Sequence, residues 1–218
     1  ALPICNLYAE PVLRPQSEAW FAQRLDLFNK AYDQTALMAM PRMEGSRHPE
    51  RWLDQLLAAV RAHDPQLQHT LFELQTVDWR SGQPIPAERL RAQIRQLQAQ
   101  GVPGERLWLH APEAKVFTHL RSAQQFLAEV APLGCRIGLE QFGSGLDSFQ
   151  LLAHFQPQFL KLDRGFTSDL AATRENIDRI SQITARAQEA GIRTIAEFVS
   201  DANSMTLLFS AGVDYVQG

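Results

Sequence analysis

A recurring set of acidic, amide and basic residues follows the apolar stretches of this chain: Glu10 with Arg14, Glu73, His110 with Glu113, Glu140 with Gln141, Lys161 with Asp163, Glu197 and Gln217. Each stands near the carboxyl end of a run that reads as a β-strand. Carboxylates gathered with a Lys and an Arg suit a ligand that carries phosphates, with or without a metal ion. The cations would neutralise phosphate charge, and the carboxylates would accept from base N–H groups or ligate the metal. A strand-end rim needs polar side chains for solubility in any case. The recurrence on nearly every strand, rather than any one residue, is what points to a site.

Such residues meet only if the strands run parallel, and from about residue 86 the chain repeats the pattern that parallel strands require. A helix-period stretch leads to Gly and then to a short β-rich run, four times over. Leu90, Ile94 and Leu97 precede Gly101 and Leu107 to Leu109; Leu120, Leu127 and Val130 precede Gly134 and Cys135 to Leu139. Ile177, Ile180 and Ile183 precede Gly191 and Ile192 to Ala196, and Met205 and Leu208 precede Gly212 and Val213 to Val216. Gly is expected there because the left-handed position that ends a helix carries no Cβ penalty for it. Ser148 to Phe155 reads as a further short helix and Phe159 to Leu162 as another buried strand. Toward the start, Phe21, Leu25, Phe28 and Tyr32 mark one helix, Trp52 to Val60 a second opened by Pro49, and Thr70 to Gln75 a strand. About seven strands alternating with helices predict an α/β fold, a (β/α)8 TIM-like barrel, with a doubly wound open sheet as the alternative. No GxGxxG or Walker loop follows the first strand, which weighs against the open sheet.

Composition narrows the partners. The 218 residues, 45% of them apolar, suffice for one sizeable core, so a single domain is expected. With 21 Lys and Arg against 24 Asp and Glu, nothing draws the chain to nucleic acid or to an anionic membrane surface, and any anionic ligand must be held by a few placed groups. Cys5 and Cys135 belong to no metal or redox motif, which fits a reducing cytoplasm. The start, Ala1-Leu-Pro-Ile-Cys-Asn, lacks a signal-peptide pattern, and without an initiator Met the chain reads as a piece excised from a longer protein.

Four runs resemble successive motifs of EAL domains, in that family's order and spacing: Gly138-Leu-Glu-Gln-Phe-Gly-Ser-Gly145, Leu160-Lys-Leu-Asp-Arg-Gly-Phe166, Ile195-Ala-Glu-Phe-Val-Ser200 and Asp214-Tyr-Val-Gln-Gly218. Glu10-Pro-Val-Leu-Arg14 is similar to the family's signature EALLR. The resemblance implies a barrel whose first strand runs antiparallel to the others, whose usual closing C-terminal helix is absent from this chain, and whose rim binds cyclic di-GMP. Active members cleave that dinucleotide with two divalent metals, which need several carboxylates converging on a pair of ions. This chain departs from that set. Glu140 and Gln141 stand where the family has paired aspartates, His110 where it has a glutamate, and Glu73 where it has an asparagine. Ser200 replaces the second glutamate of the AEGVE motif.

The resemblance thus implies a metal-free site made by Glu10, Leu13, Arg14, Glu140, Lys161, Asp163, Glu197, Phe198 and Gln217, with no catalytic residues and no metal or other cofactor. Arg14 would grip phosphate through its planar fork. Lys161 and Asp163 have an alternative reading as an ordinary rim ion pair, and Phe142 and Phe166 read as packing residues. Phe198 occupies a position that the family fills with Gly, and an aromatic face there suits stacking on guanine. Eroded metal ligands with this aromatic resemble receptors of the FimX type, which sense cyclic di-GMP without cleaving it and engage PilZ-class proteins in type IV pilus assembly and twitching. Two other readings are an active phosphodiesterase with unusual ligands and a domain that binds only protein.

Overall fold

The computed structural model describes residues 2–78, 80–145, 147–167, 170, 174–199 and 201–217. Eight barrel strands alternate with helices in the order β1 (Leu2–Leu7), α1 (Ala9–Leu13), α2 (Leu25–Ala31), β2 (Gln34–Ala39), α3 (Pro49–Arg61), β3 (Thr70–Leu74), α4 (Ala87–Ala99), β4 (Leu107–Pro112), α5 (Leu120–Val130), β5 (Arg136–Phe142), α6 (Ser148–Leu152), β6 (Phe159–Leu162), α7 (Arg174–Glu189), β7 (Arg193–Ala196), α8 (Ala202–Ser210) and β8 (Tyr215–Gln217), with a separate two-stranded sheet of Val77–Asp78 and Gln83–Pro84. Their hydrogen-bonded order, β1-β8-β7-β6-β5-β4-β3-β2, closes a barrel, as the alternation of strand and helix predicts. The antiparallel first strand expected from the resemblance does not form. Strand β1 pairs parallel with β8, Leu2 opposite Tyr215 and Ile4 opposite Gln217. Helices α1 and α2 lie between β1 and β2, the kind of helical crossover that parallel strands use.

The chain divides into two compact units. One, the carboxyl-terminal unit, contains Ala1–Ile4, Ala111–Gln125 and Ile137–Gly218; the other, the amino-terminal unit, contains Cys5–His110 and Phe126–Arg136.

In the amino-terminal unit, Pro49 opens α3, and Leu53, Leu56, Leu57 and Val60 form its buried stripe at helical spacing. Strand β2 pairs with β3 over five positions, from Thr35 opposite Thr70 to Ala39 opposite Leu74, and every residue of β3 is buried. Asp64 fastens the entry to β3. It accepts from the backbone N–H groups of Gln68, His69 and Thr70, at 2.9, 2.9 and 3.0 Å, and from the Thr70 hydroxyl at 2.9 Å. Burial opposes its ionisation, yet these donors together hold the Asp64 carboxyl below the ordinary aspartate range.

In the carboxyl-terminal unit, α7 buries Ile180, Ile183, Thr184 and Ala187, and Gly191 ends the helix with φ 71°, as the left-handed cap predicts. Asp214, although it belongs to a motif, is structural. It pairs with Arg193 at 2.7 Å and accepts from the Thr194 N–H and hydroxyl at 2.9 and 3.0 Å, joining the starts of β7 and β8. Both cysteines are free and buried, and burial pushes the Cys135 thiol up to about 11, so it has little nucleophilic character at neutral pH. Among the described residues, no helix is long and apolar enough to cross a membrane.

Candidate nucleotide site

The carboxyl-terminal unit contains most of the expected residues and pairs two of them, Lys161 and Glu197. Strand β5 leaves its ladder within the first motif: Leu139 faces Leu160 and Phe142 faces Leu162, so three steps on β5 oppose two on β6. The extra residue makes a β-bulge, and Gln141 takes a left-handed backbone with φ 57°, uncommon outside Gly. Glu140 is half-buried there and Gln141 is exposed.

Two residues further on, Gly143 donates its N–H to Glu113 Oε2 at 2.8 Å, while a Cβ at Gly145 would stand 2.6 Å from Glu113 Oε1. Glu113 is therefore a buried anchor for the loop after β5 and not a rim ligand. Phe142 is fully buried, edge-on to Phe149, and Phe166 is buried beneath Arg179, consistent with packing roles for both.

Lys161, near the end of β6, is only 4% exposed, and its Nζ lies 3.0 Å from Glu197 Oε1. The partner is thus Glu197, the residue that follows β7, and not the neighbouring Asp163. Asp163 Oδ1 instead accepts from the Gly165 N–H at 2.8 Å, an Asx turn that opens the short helix Arg164–Thr167. Gln217, the last residue of β8, is buried.

Phe198 follows Glu197. It has φ 61°, is 58% exposed, and carries the Arg164 guanidinium 4.9 Å from its ring centroid. It is not a core residue. Ser200 and Gly218, the remaining motif positions, lie outside the described residues.

The amino-terminal unit holds the rest of the expected set, on the short helix that directly follows β1. Glu10 and Leu13 lie in α1, and Arg14 caps it. Arg14 Nη1 bonds Glu10 Oε1 at 2.7 Å, one helical turn apart, and the Arg14 side chain is 66% exposed. Glu10, Leu13 and Arg14 line a cleft of about 820 Å³ with Glu44, Trp52 and Gln55. Burial raises the Glu44 carboxyl above its usual range, the Glu10 charge adds to the rise, and Arg14 offsets part of it. His110 lies inside β4 and not at its end; its Nε2 is 3.2 Å from Glu73 Oε1, and both side chains are buried. Among the described residues, no group of three or more His, Cys, Asp or Glu is placed to hold a metal ion.

Two features of the site escape sequence reasoning: the seating of Glu113 under the β5 loop and the stacking of Arg164 on Phe198. Neither has a motif of its own, since both depend on elements that meet only in the folded chain.

A parallel barrel with a buried Lys paired to a half-buried Glu and an exposed aromatic at its strand ends defines the class. Within it, the crystal structure of the Xanthomonas citri FimX EAL domain in complex with c-diGMP is 54% identical, covers 78% of this chain and 66% of that one, and superposes with a TM-score of 0.65. The chain belongs to the EAL-domain family. Cyclic di-GMP phosphodiesterase PdeF of Escherichia coli K12 is 27% identical over 106 residues, 49% of this chain and 14% of that protein.

A second similarity is of a different kind. Residues 4–104 match the family described as Hypothetical glycosyl hydrolase family 13. Poly-beta-1,6-N-acetyl-D-glucosamine N-deacetylase of Escherichia coli K12 is 38% identical over 102 residues, 44% of this chain. The chain spans 15% of that enzyme's length.

Proposed function

We propose that this chain is a degenerate EAL domain that binds cyclic di-GMP as a receptor and does not hydrolyse it. The observation that carries the reading is Phe198, an aromatic ring held out to solvent on a left-handed backbone beside the Lys161–Glu197 pair. A ring so placed offers a stacking face for guanine, worth about 1 to 3 kcal/mol per base. Glu140, Lys161, Asp163, Glu197, Phe198 and Gln217 make this side of the site. Glu10, Leu13 and Arg14 enter the assignment through their motif alone. The similarity to a FimX EAL domain in complex with c-diGMP supports the ligand.

Loss of hydrolysis is supported by donor chemistry. Gln141 brings no charge, Glu113 is committed to Gly143, His110 is a poor ligand for Mg²⁺, and Lys161 already holds Glu197. These residues do not fit a two-metal centre, so no metal-dependent step is assigned to them. The receptor would act in the bacterial cytoplasm through a protein partner of the PilZ class, in type IV pilus assembly or twitching. Calorimetric titration with cyclic di-GMP, with GMP as a control, tests the reading: saturable one-site binding is expected, and no heat at a hundred micromolar ligand would reject it.

A second reading is favoured for the amino-terminal unit by one observation: the segment matched by the glycosyl hydrolase family, residues 4–104, contains the whole cleft of Glu10, Glu44 and Trp52. Glycoside-cleaving sites pair a carboxyl kept protonated with one kept ionised. Burial raises the Glu44 carboxyl above its usual range, and Glu10 lines the same cleft, bonded to Arg14 at 2.7 Å. On this reading the cleft takes a carbohydrate. Titration with N-acetylglucosamine oligomers, with Glu44→Ala and Trp52→Ala as controls, decides it; no binding by the parent protein would reject it.

A further inference from the structure

The chain leaves β6 at Leu162 in a tightly defined direction. The Asp163 N–H donates to the Phe142 carbonyl at 3.0 Å, and the Asp163 carboxylate accepts from the Gly165 N–H at 2.8 Å. Arg164 lies between these two ties, at the start of a single helical turn. Its guanidinium forms no hydrogen bond or ion pair with another described side chain, and its described partner is the Phe198 ring, 4.9 Å away. Phe198 in turn is an exposed aromatic on a backbone that L-residues rarely adopt.

An exposed Phe samples several rotamers, and each binding event must then order it. A cation on one face removes part of that freedom and leaves the opposite face to an incoming base. We propose that Arg164 is a positioning residue of the nucleotide site, holding Phe198 as a preformed stacking platform for guanine. The assignment rests on the cyclic di-GMP reading given above. It makes Arg164 act through the ring, without touching the ligand.

A double-mutant cycle separates that role from direct contact. Cyclic di-GMP affinity is measured calorimetrically for the parent, Arg164→Ala, Phe198→Leu and the double variant. Loss of a cation–π contact at an exposed site predicts about a threefold to fivefold weakening for Arg164→Ala. In the Phe198→Leu background the same change should have no effect. Equal losses in both backgrounds would mean that Arg164 meets the ligand itself, and no loss in either would mean that it does nothing; each overturns the proposal.

A ligand-free measurement keeps the proposal testable if the protein does not bind the nucleotide. In phenylalanine-labelled protein, the Phe198 ring signals are identified by their disappearance in Phe198→Leu. Arg164→Ala should move them toward the positions of a freely rotating ring, with Arg164→Lys intermediate. Unchanged ring signals would refute the positioning role. Failure to bind alongside shifted signals would reject the nucleotide reading and leave the Arg164–Phe198 contact standing.

Discussion

Replacing Phe198 by Gly and by Ala should separate folding from recognition. A little under half of the residue is covered, so truncation forfeits about 1 kcal/mol of the 1.5–3 kcal/mol that full burial of such a side chain provides. Loss of the Arg164 contact adds about 0.5–1 kcal/mol. Against this, Gly relieves the left-handed strain at φ 61°, worth about 1–2 kcal/mol, whereas Ala does not. The Gly variant should therefore lie within about 1 kcal/mol of the parent, or about 4 °C in melting temperature, and the Ala variant about 1.5–2 kcal/mol below it. Both should lose about 1–3 kcal/mol of cyclic di-GMP affinity, roughly a factor of 5 to 150. Scanning calorimetry without ligand and titration calorimetry with it read the two quantities. A Gly variant that melts well below the Ala variant would refute the strain argument, and full affinity in both would refute stacking.

Three further outcomes follow from the geometry. Glu113→Ala leaves the Gly143 N–H without its acceptor and should cost about 1–3 kcal/mol in urea unfolding, with Glu113→Gln recovering part of it; equal losses would show that the acceptor is not what matters. Asp64→Asn should destabilise by about 1.5–3 kcal/mol at neutral pH, because the charged acceptor is lost. Since the folded Asp64 carboxyl lies below its unfolded value, its contribution is present above about pH 4 and fades as pH falls through the folded pKa, so the gap between parent and variant melting curves should close in acid. A gap that persists in acid would refute this. Arg14→Ala removes an exposed ion pair and should change stability by less than about 1 kcal/mol, yet cut nucleotide affinity by roughly one to two decades if Arg14 meets phosphate; unchanged affinity would show the Glu10–Arg14 motif match to be wrong.

Much of the barrel is legible in the sequence because buried parallel strands are short apolar runs set off by glycine. Runs near β4, β5, β7 and β8 stand out in this way, and β6 by its apolar run alone. Strand β2 does not: Ala36, Met38 and Ala39 carry weak strand preference, and its five-residue pairing with β3 is a tertiary choice. The segment Glu10 to Arg14 does follow the end of β1 at Leu7, but its conformation is not legible. A motif match suggests a strand end, but Ala9 to Leu13 form a helical turn, and a Pro in a helix's first turn gives up no intrahelical bond. Within the site, the motifs identify Lys161, Glu197 and Phe198. They cannot choose between Asp163 and Glu197 as the partner of Lys161, because that depends on the Asx turn that engages Asp163. Residues 15–85 carry none of the family's motifs quoted above, and they lie within residues 4–104, which also match a glycosyl hydrolase family.

The central claim, binding without metal and without cleavage, is tested most directly by one paired titration. Cyclic di-GMP affinity is measured in excess EDTA and again with Mg²⁺ or Mn²⁺, and the metal-containing samples are then resolved by chromatography for linear pGpG. The donor set at Gln141, Glu113, Lys161 and Glu197 predicts equal affinity in all three conditions and intact dinucleotide after overnight incubation. A tenfold loss on chelation, or the appearance of pGpG, would contradict it.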